Sequence, residues 1–160
     1  MIKAREIIKK ILLSIGGLSM ILVAVVLFAQ TVARYCFHYS FFWADELSKY
    51  SMIWGAQLCA AVGVSERAHT SLDFIISKVN PRIRSCIFTV LDILYIVFSV
   101  ALFYYSFSNI KLGMKSLSPG LGMPTGYVYM ALTVSMLLTV FFLCFNVIDD
   151  IKSVIRPKEE

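Results

Sequence analysis

Charged residues are scarce in this chain and are missing altogether from its longest apolar runs. Asp, Glu, Lys and Arg make up 16% of the sequence, whereas hydrophobic residues make up 59%. Residues 11–33 and 125–148 contain no charged side chain, and each run exceeds the roughly 20 residues that a helix needs to cross a bilayer. Soluble domains are seldom more than about half apolar. The scarcity of charge therefore excludes a soluble globular protein and predicts an all-α integral membrane protein.

Motifs for nucleotide, redox and metal chemistry are also missing. The sequence has no phosphate-binding loop, and its four cysteines form no Cys-x-x-Cys pair. We expect the cysteines to be small buried packing residues. The two histidines, His38 and His69, are expected on opposite faces of the membrane, so one metal ion cannot join them within a subunit. The sequence therefore predicts no cofactor and no metal site.

Four transmembrane helices are predicted within a single membrane domain that covers residues 1–160. Their approximate spans are residues 11–34, 43–65, 82–111 and 124–149. Residues 2–10 are expected to form an interfacial turn that leads into the first span. A short amphipathic helix is expected over about residues 70–79, because four apolar residues of this segment fall on one helical face. Such a helix should lie flat in the cytoplasmic interface between spans two and three.

The distribution of basic residues predicts the orientation. With the N terminus inside, eleven Lys and Arg residues fall in cytoplasmic segments and four in outer segments. This excess on one side follows the positive-inside rule. It accounts for the net charge of +5 without a nucleic-acid partner. Both termini are therefore predicted to be cytoplasmic.

Two adjacent carboxylates, Asp45 and Glu46, are expected in the first turn of span two at the outer boundary. Adjacent positions on a helix point about 100° apart, so the two side chains cannot easily share one ligand. Asp45 also precedes Lys49 by four residues, the favourable order for a helical ion pair. Three interpretations stay open: pairing with Arg34 or with a partner protein, a site for a transported ion, and solvated charge. We expect Arg34 to neutralise one of the two.

Asp92 is the one carboxylate expected inside the hydrocarbon. A pair with Arg67 or Arg84, or a hydrogen bond to a polar neighbour, explains it better than a proton relay, since no further ionisable residue lies in line with it. At the cytoplasmic boundary, His69 is expected to hydrogen-bond near Asp73. Ionisable residues thus gather at the two water boundaries.

These boundary residues resemble a known family. The segments concerned are Arg34-Tyr35, residues 43–50, Ile53-Trp54, Arg67-Ala68-His69 with Asp73, and residues 118–124. They are similar to the small membrane subunit of tripartite ATP-independent periplasmic (TRAP) transporters. Three positions depart from the family pattern: Asp45 replaces a common Glu, Cys59 lies where glycine is usual, and Ala68 lies where glycine is frequent.

The resemblance implies a non-catalytic transporter subunit in the bacterial cytoplasmic (inner) membrane, crossing it several times. In that family a periplasmic solute-binding protein delivers an organic acid, such as a C4-dicarboxylate or sialic acid, to a large elevator-type permease subunit driven by sodium. The implied partners are the large permease subunit, the periplasmic solute-binding protein and membrane phospholipids. No catalytic, substrate-binding or metal residue is implied; the interface and structural residues would be Arg34, Trp43, Asp45, Glu46, Lys49, Trp54, Arg67, His69, Asp73 and Asp92.

Two other functions stay open at this point. A four-helix, quinone-coupled membrane thiol oxidoreductase would need reactive cysteine pairs facing the periplasm, where only Cys36 is expected. A small exporter working as a homodimer would need a central membrane carboxylate, for which Asp92 is the candidate.

Overall fold

The computed structural model of the chain describes the backbone of residues 2–66 and 81–155 and the side chains of residues 5–66 and 87–149. Within these ranges the chain is helical and has no strand. The helices are α1 (Ile2–Phe37), α2 (Phe42–Ser65), α3 (Pro81–Gly113) and α4 (Gly126–Ile155). The predicted all-α fold is confirmed. The expected interfacial helix at 70–79 and the residues Arg67, His69 and Asp73 lie outside the described residues.

Three helices are long and apolar enough to cross a membrane. They cover Arg5–Phe37, Ile87–Gly113 and Gly126–Asp149. Helix α2 has 24 residues, which is long enough for a span, but its first two turns carry Asp45, Glu46 and Lys49. Helix α2 is not among the three helices that are apolar enough. A fourth span over α2 therefore stays a prediction.

Helix α1 begins earlier than the sequence suggested. We expected an interfacial turn over residues 2–10, whereas the structure has one continuous helix from Ile2. Most residues of this segment are good helix formers, and Arg5 and Lys9 are four residues apart on one face. Both side chains contact residues at the ends of other helices, so tertiary contacts stabilise the additional turns.

The helices pack in the order α1, α2, α4, α3. Helix α2 packs between α1 and α4, and α4 in turn packs against α3. A core cluster forms where Leu12 of α1, Leu58 and Val62 of α2 and Phe142 of α4 meet. Helices α1 and α3 lie at the two ends of this row, and most of their apolar side chains are exposed in the isolated chain.

Helices α1 and α2 approach closely at two glycines. A Cβ atom added to Gly55 would lie 2.9 Å from Ser19 Cβ and 3.3 Å from the backbone oxygen of Gly16. A Cβ atom added to Gly16 would collide with Cys59 Sγ. The small residues of α1 and α2 therefore admit a close approach of the two helices.

Hydrogen bonds from side-chain hydroxyl groups join neighbouring helices. Ser135 of α4 donates a hydrogen bond of 2.8 Å to the backbone oxygen of Gln57 in α2. Between α3 and α4, the hydroxyls of Ser106 and Thr133 are hydrogen-bonded to each other. Such bonds between helices are a common means of association in an apolar environment.

Candidate functional site

The connection between α3 and α4, residues 114–125, forms a closed loop that we call the outer loop, after its predicted position at the outer boundary. Its own backbone closes it: Ser118 N donates to Met123 O at 2.9 Å, and Thr125 N donates to Ser116 O at 2.9 Å. Gly122 has a φ of 65°, in the left-handed region that favours glycine. The Pro and Gly residues of this loop, which are typical of turns, therefore form a defined turn here.

Glu46 fastens this outer loop to the start of α2. One carboxylate oxygen, Oε2, accepts hydrogen bonds from Gly120 N at 2.9 Å, from Leu121 N at 2.8 Å and from the Ser118 hydroxyl. Hydrogen bonds to an ionised acceptor are stronger than neutral ones. Lys49, one turn further along α2, adds a favourable Coulomb interaction with the same carboxylate. We call Glu46 and its three partners the loop anchor.

The loop anchor needs a glycine at position 120. A Cβ atom there would lie 2.6 Å from the backbone oxygen of Phe42 and 3.0 Å from the Glu46 carboxyl carbon. Because one of these neighbours is backbone at the first residue of α2, a larger residue could be admitted only if the loop moved away from the helix. The absence of a side chain at Gly120 therefore sets how closely the loop and α2 approach.

The opposite end of the helices is joined by Arg5. Its Nη2 donates to Ser65 Oγ at 3.1 Å and to Asn146 Oδ1, and its Nη1 lies 3.6 Å from Asp149 Oδ2. Asn146 Nδ2 completes the group with a 3.0 Å bond to Ser65 O. That carbonyl lies in the last turn of α2, where backbone oxygens lack a partner within the helix. We call these four residues the Arg5 junction; it joins α1, α2 and α4.

Lys9 adds a second ion pair beside the Arg5 junction. Its Nζ lies 3.5 Å from Glu66 Oε1, just after the end of α2. The lysine is 7% exposed, so its aliphatic stem is buried while its amine meets the half-exposed carboxylate. Both ends of the structure therefore place ionised groups between helices.

Comparison with known proteins decides the family. A family model described as the DctQ component of tripartite ATP-independent periplasmic transporters matches residues 10–153. The chain belongs to this family. As a DctQ protein it is a membrane protein and a component of a transporter. The resemblance seen in the sequence is therefore confirmed.

The relatives agree with this assignment. Two Haemophilus influenzae proteins named as TRAP transporter small permease proteins match it. The first is 24% identical over 135 residues, which is 84% of this chain and 84% of the relative. The second is 21% identical over 150 residues, which is 94% of this chain and 91% of the relative.

A third Haemophilus influenzae relative is a much larger protein. The sialic acid TRAP transporter permease protein SiaT is 29% identical over 83 residues, which is 52% of this chain but 14% of SiaT. A stretch similar to half of this DctQ chain therefore occurs inside a long permease polypeptide. None of these relatives supports the thiol oxidoreductase.

The structure gives Glu46 a different partner from the one expected. Arg34 makes no ion pair with Asp45 or Glu46 within the described part of the chain, and its Nη2 donates a long 3.5 Å bond to Ser40 Oγ. The predicted neutralisation by Arg34 is therefore wrong. Asp45 and Lys49 likewise form no ion pair among the described residues. The physical reason is the loop anchor: three donors on the outer loop satisfy Glu46 better than a long flexible side chain would.

The other predicted residues are dispersed. Trp43 and Lys49 are exposed on α2, Trp54 is half-buried, and Asp92 is 6% exposed on α3. Among the described residues, no three His, Cys, Asp or Glu side chains come together closely enough to hold a metal ion. The cysteines were expected to be buried, but Cys36 and Cys144 are exposed and Cys59 is half-buried.

The sequence analysis did not predict the residues that complete the loop anchor and the Arg5 junction. Ser118 entered the sequence analysis only within residues 118–124 of the family resemblance, and Asn146 only within the last apolar run. For Arg5 the sequence did carry a usable signal. Arg5 and Lys9 are one helical turn apart, which indicates that the helix begins before residue 10. No local pattern indicates that Ser118 should meet Glu46, 72 residues earlier.

Proposed function

We propose that this chain is the non-catalytic small subunit of a sodium-driven TRAP transporter for organic acids, and that it supports a large elevator-type permease subunit. The observation that carries this proposal is membership of the DctQ family over residues 10–153. The broad exposed apolar faces of α1 and α3 support it as well, because such faces in the membrane can be covered by a partner as readily as by lipid. Substrate and sodium would then bind to the large subunit.

The proposed topology has four spans with both termini in the cytoplasm of the bacterium. Helix α2 would be the fourth span, with Asp45, Glu46 and Lys49 at the outer water boundary, where charge costs least. The Arg5 junction would then lie at the cytoplasmic boundary. The excess of basic residues on that side supports this orientation in the inner membrane.

The outer end is proposed to help dock the periplasmic solute-binding protein. The outer loop faces the same end as the start of α2, and the loop anchor holds it in one shape. A surface that is already ordered loses less conformational entropy on binding. The exposed side chains of Trp43, Lys49 and Arg34 at this end are proposed to contribute to contacts with the partners.

The substrate class is proposed from the family and from one relative. SiaT is named for sialic acid, and the stretch it shares with this chain places a DctQ-like segment within the same polypeptide as a permease. This arrangement supports a close association between the small and large subunits. Sialic acid and C4-dicarboxylates are accordingly the first compounds to test.

Complex formation tests the proposal directly. The tagged chain is co-expressed with the large TRAP permease subunit of the same organism and purified in a mild detergent. We expect an equimolar complex that survives size-exclusion chromatography. An unrelated four-helix membrane protein with the same tag is the control. If the chain elutes alone, the proposed association is wrong.

A further inference from the structure

A polar pocket lies between the last turns of α1 and the first turn of α2. It is lined by Leu27, Gln30, Thr31, Arg34, Tyr35 and Asp45. The pocket contains one cationic group and one anionic group, which do not pair with each other within the described part of the chain. Its charge is therefore balanced, and both charged groups remain available to a ligand.

Hydrogen-bonding groups in this pocket lack partners. Gln30 is 6% exposed, yet its amide makes no hydrogen bond within the described residues. Asp45 also accepts none there, and Arg34 has one long bond of 3.5 Å to Ser40. The Thr31 hydroxyl donates to Leu27 O at 2.8 Å and keeps its lone pairs free to accept. These polar groups line the pocket without satisfying one another, so they are available to a ligand that supplies both donors and acceptors.

The position of the pocket indicates where that ligand comes from. Residues 27–35 cover about 12 Å of helix. The pocket therefore extends from the apolar part of α1 to the last turn of that helix. Large aromatic side chains are exposed on the segment from the end of α1 to the start of α2: Tyr35, Phe37, Tyr39, Phe42 and Trp43. Exposed aromatics mark the level of lipid headgroups. The pocket is thus open to a lipid whose headgroup lies at the membrane surface.

We propose that this pocket binds the headgroup of a zwitterionic aminophospholipid, phosphatidylethanolamine. Arg34 binds the phosphate, as arginine commonly does. Asp45 and the oxygen of Gln30 accept hydrogen bonds from the ammonium group. The proposal needs only that α1 crosses the membrane and does not depend on the transported substrate.

The same contacts discriminate against other headgroups. Phosphatidylcholine carries a quaternary ammonium group that cannot donate a hydrogen bond to Asp45 or Gln30. Phosphatidylglycerol has a net negative charge and places a neutral glycerol beside Asp45, which leaves the carboxylate without a cation. Of these three headgroups, only ethanolamine supplies a phosphate and an ammonium group with donors at the same time.

Lipid retention by the purified full chain tests this proposal. The chain in mild detergent is exposed to equal amounts of POPE, POPC and POPG, and bound lipid is measured by native mass spectrometry. We expect POPE to be retained at least tenfold over each of the others. Arg34→Gln should lower POPE binding about tenfold, whereas Lys111→Gln, the matched loss of an exposed cation in the last turn of α3, should leave it unchanged. Equal retention of the three lipids would overturn the proposal.

A change of preference separates lipid recognition from loss of folding. Asp45→Asn removes the anion and leaves a cationic pocket, so the variant should lose its preference for POPE and gain binding of POPG. An unchanged POPE preference in this variant would contradict the assignment of Asp45. Soluble glycerophosphoethanolamine should compete only weakly, since it lacks acyl chains; full competition at low millimolar concentration would show that a soluble ligand is the occupant.

The assembled transporter distinguishes lipid from a protein side chain. The complex with the large subunit should retain the same POPE, with the same loss in Arg34→Gln. If assembly expels the lipid, and a photo-crosslinker placed at Tyr35 then labels the large subunit instead of lipid, the pocket is a protein contact and the proposal is wrong.

Discussion

At the scale of single residues, Glu46 Oε2 accepts three hydrogen bonds from a loop that follows it by 72 to 75 residues in sequence. Its neighbour Asp45 has the same charge and lies on the same turn but, within the described part of the chain, accepts no hydrogen bond from the loop. The two carboxylates therefore have separate tasks, although the sequence presents them as a pair. Which of two adjacent residues meets the loop depends on their 100° difference in direction around the helix.

Neutralising Glu46 should loosen the outer loop. In Glu46→Gln the charge-assisted bonds to Gly120 N and Leu121 N become neutral or are lost, so we expect these two amides to exchange hydrogen at least tenfold faster. Hydrogen exchange with mass spectrometry measures this. Asp45→Asn is the matched control and should leave loop exchange unchanged. Equal acceleration in both variants would show that general charge, and not the loop anchor, protects the loop.

Two buried serines provide a second test at this scale. Ser135 donates to Gln57 O, whereas the hydroxyl of Ser99 on α3 is buried and has no hydrogen-bond partner among the described residues. We expect Ser135→Ala to lower the free energy of unfolding by about 0.5–1.5 kcal/mol. Ser99→Ala should be neutral or slightly stabilising. Unfolding in mixed detergent measures both, and a larger loss in Ser99→Ala would contradict the hydrogen-bond assignment.

At the scale of helices, the crossing of α1 and α2 depends on the absence of side chains at Gly16 and Gly55. Helix propensity alone favours alanine over glycine by about 1 kcal/mol. At Gly55 an added Cβ would meet Ser19 Cβ at 2.9 Å, whereas at Gly63, on the same helix, nothing lies within 4 Å. Of these two glycines of α2, only Gly55 therefore has a packing cost that opposes the gain in helix propensity.

This opposition predicts different signs for two similar substitutions. Gly55→Ala should destabilise the chain because α1 must move away from α2, and Gly63→Ala should be neutral or raise the unfolding temperature. Thermal unfolding of the purified chain in detergent measures the two midpoints. Equal unfolding midpoints for Gly55→Ala and Gly63→Ala would contradict the close crossing of α1 and α2 at Gly55.

The Arg5 junction gives a prediction that involves three helices. Arg5→Ala leaves the Asn146 amide oxygen and the Ser65 hydroxyl without their donor, which should cost about 1–3 kcal/mol of unfolding free energy. Lys10→Ala removes an exposed charge from the same helix and is the control. Limited proteolysis should cut the C-terminal turns of α4 faster in Arg5→Ala only; equal cleavage would contradict the junction.

The helices themselves could be predicted from sequence more fully than their contacts. Charge-free runs identify α1 and α4, and the turn of Pro and Gly at 118–124 marks the end of the third span. The start of α1 at Ile2 was missed, because its first turns depend on Arg5 and Lys9 meeting distant residues, and periodicity does not carry such information.

At the scale of the whole molecule, the structure is a row of helices in which α1 and α3 expose apolar faces and the ionised groups collect at both ends. The boundary position of the charges was predictable, since charge is costly in hydrocarbon. The partners of those charges were not predictable. The sequence analysis paired Arg34 with one of the two carboxylates. In the structure Glu46 belongs to the loop anchor, and Arg34 lines the polar pocket without an ion-pair partner among the described residues. Pairing across many residues is set by the packing of the helices.

Sodium-driven uptake by reconstituted transporter tests the central claim most directly. Proteoliposomes containing the large permease subunit and supplied with the solute-binding protein are compared with and without this chain, using sialic acid and C4-dicarboxylates under an inward sodium gradient. We predict uptake with the complete set and none with this chain alone or with the large subunit alone. Uptake by this chain alone, or full uptake in its absence, would contradict the account.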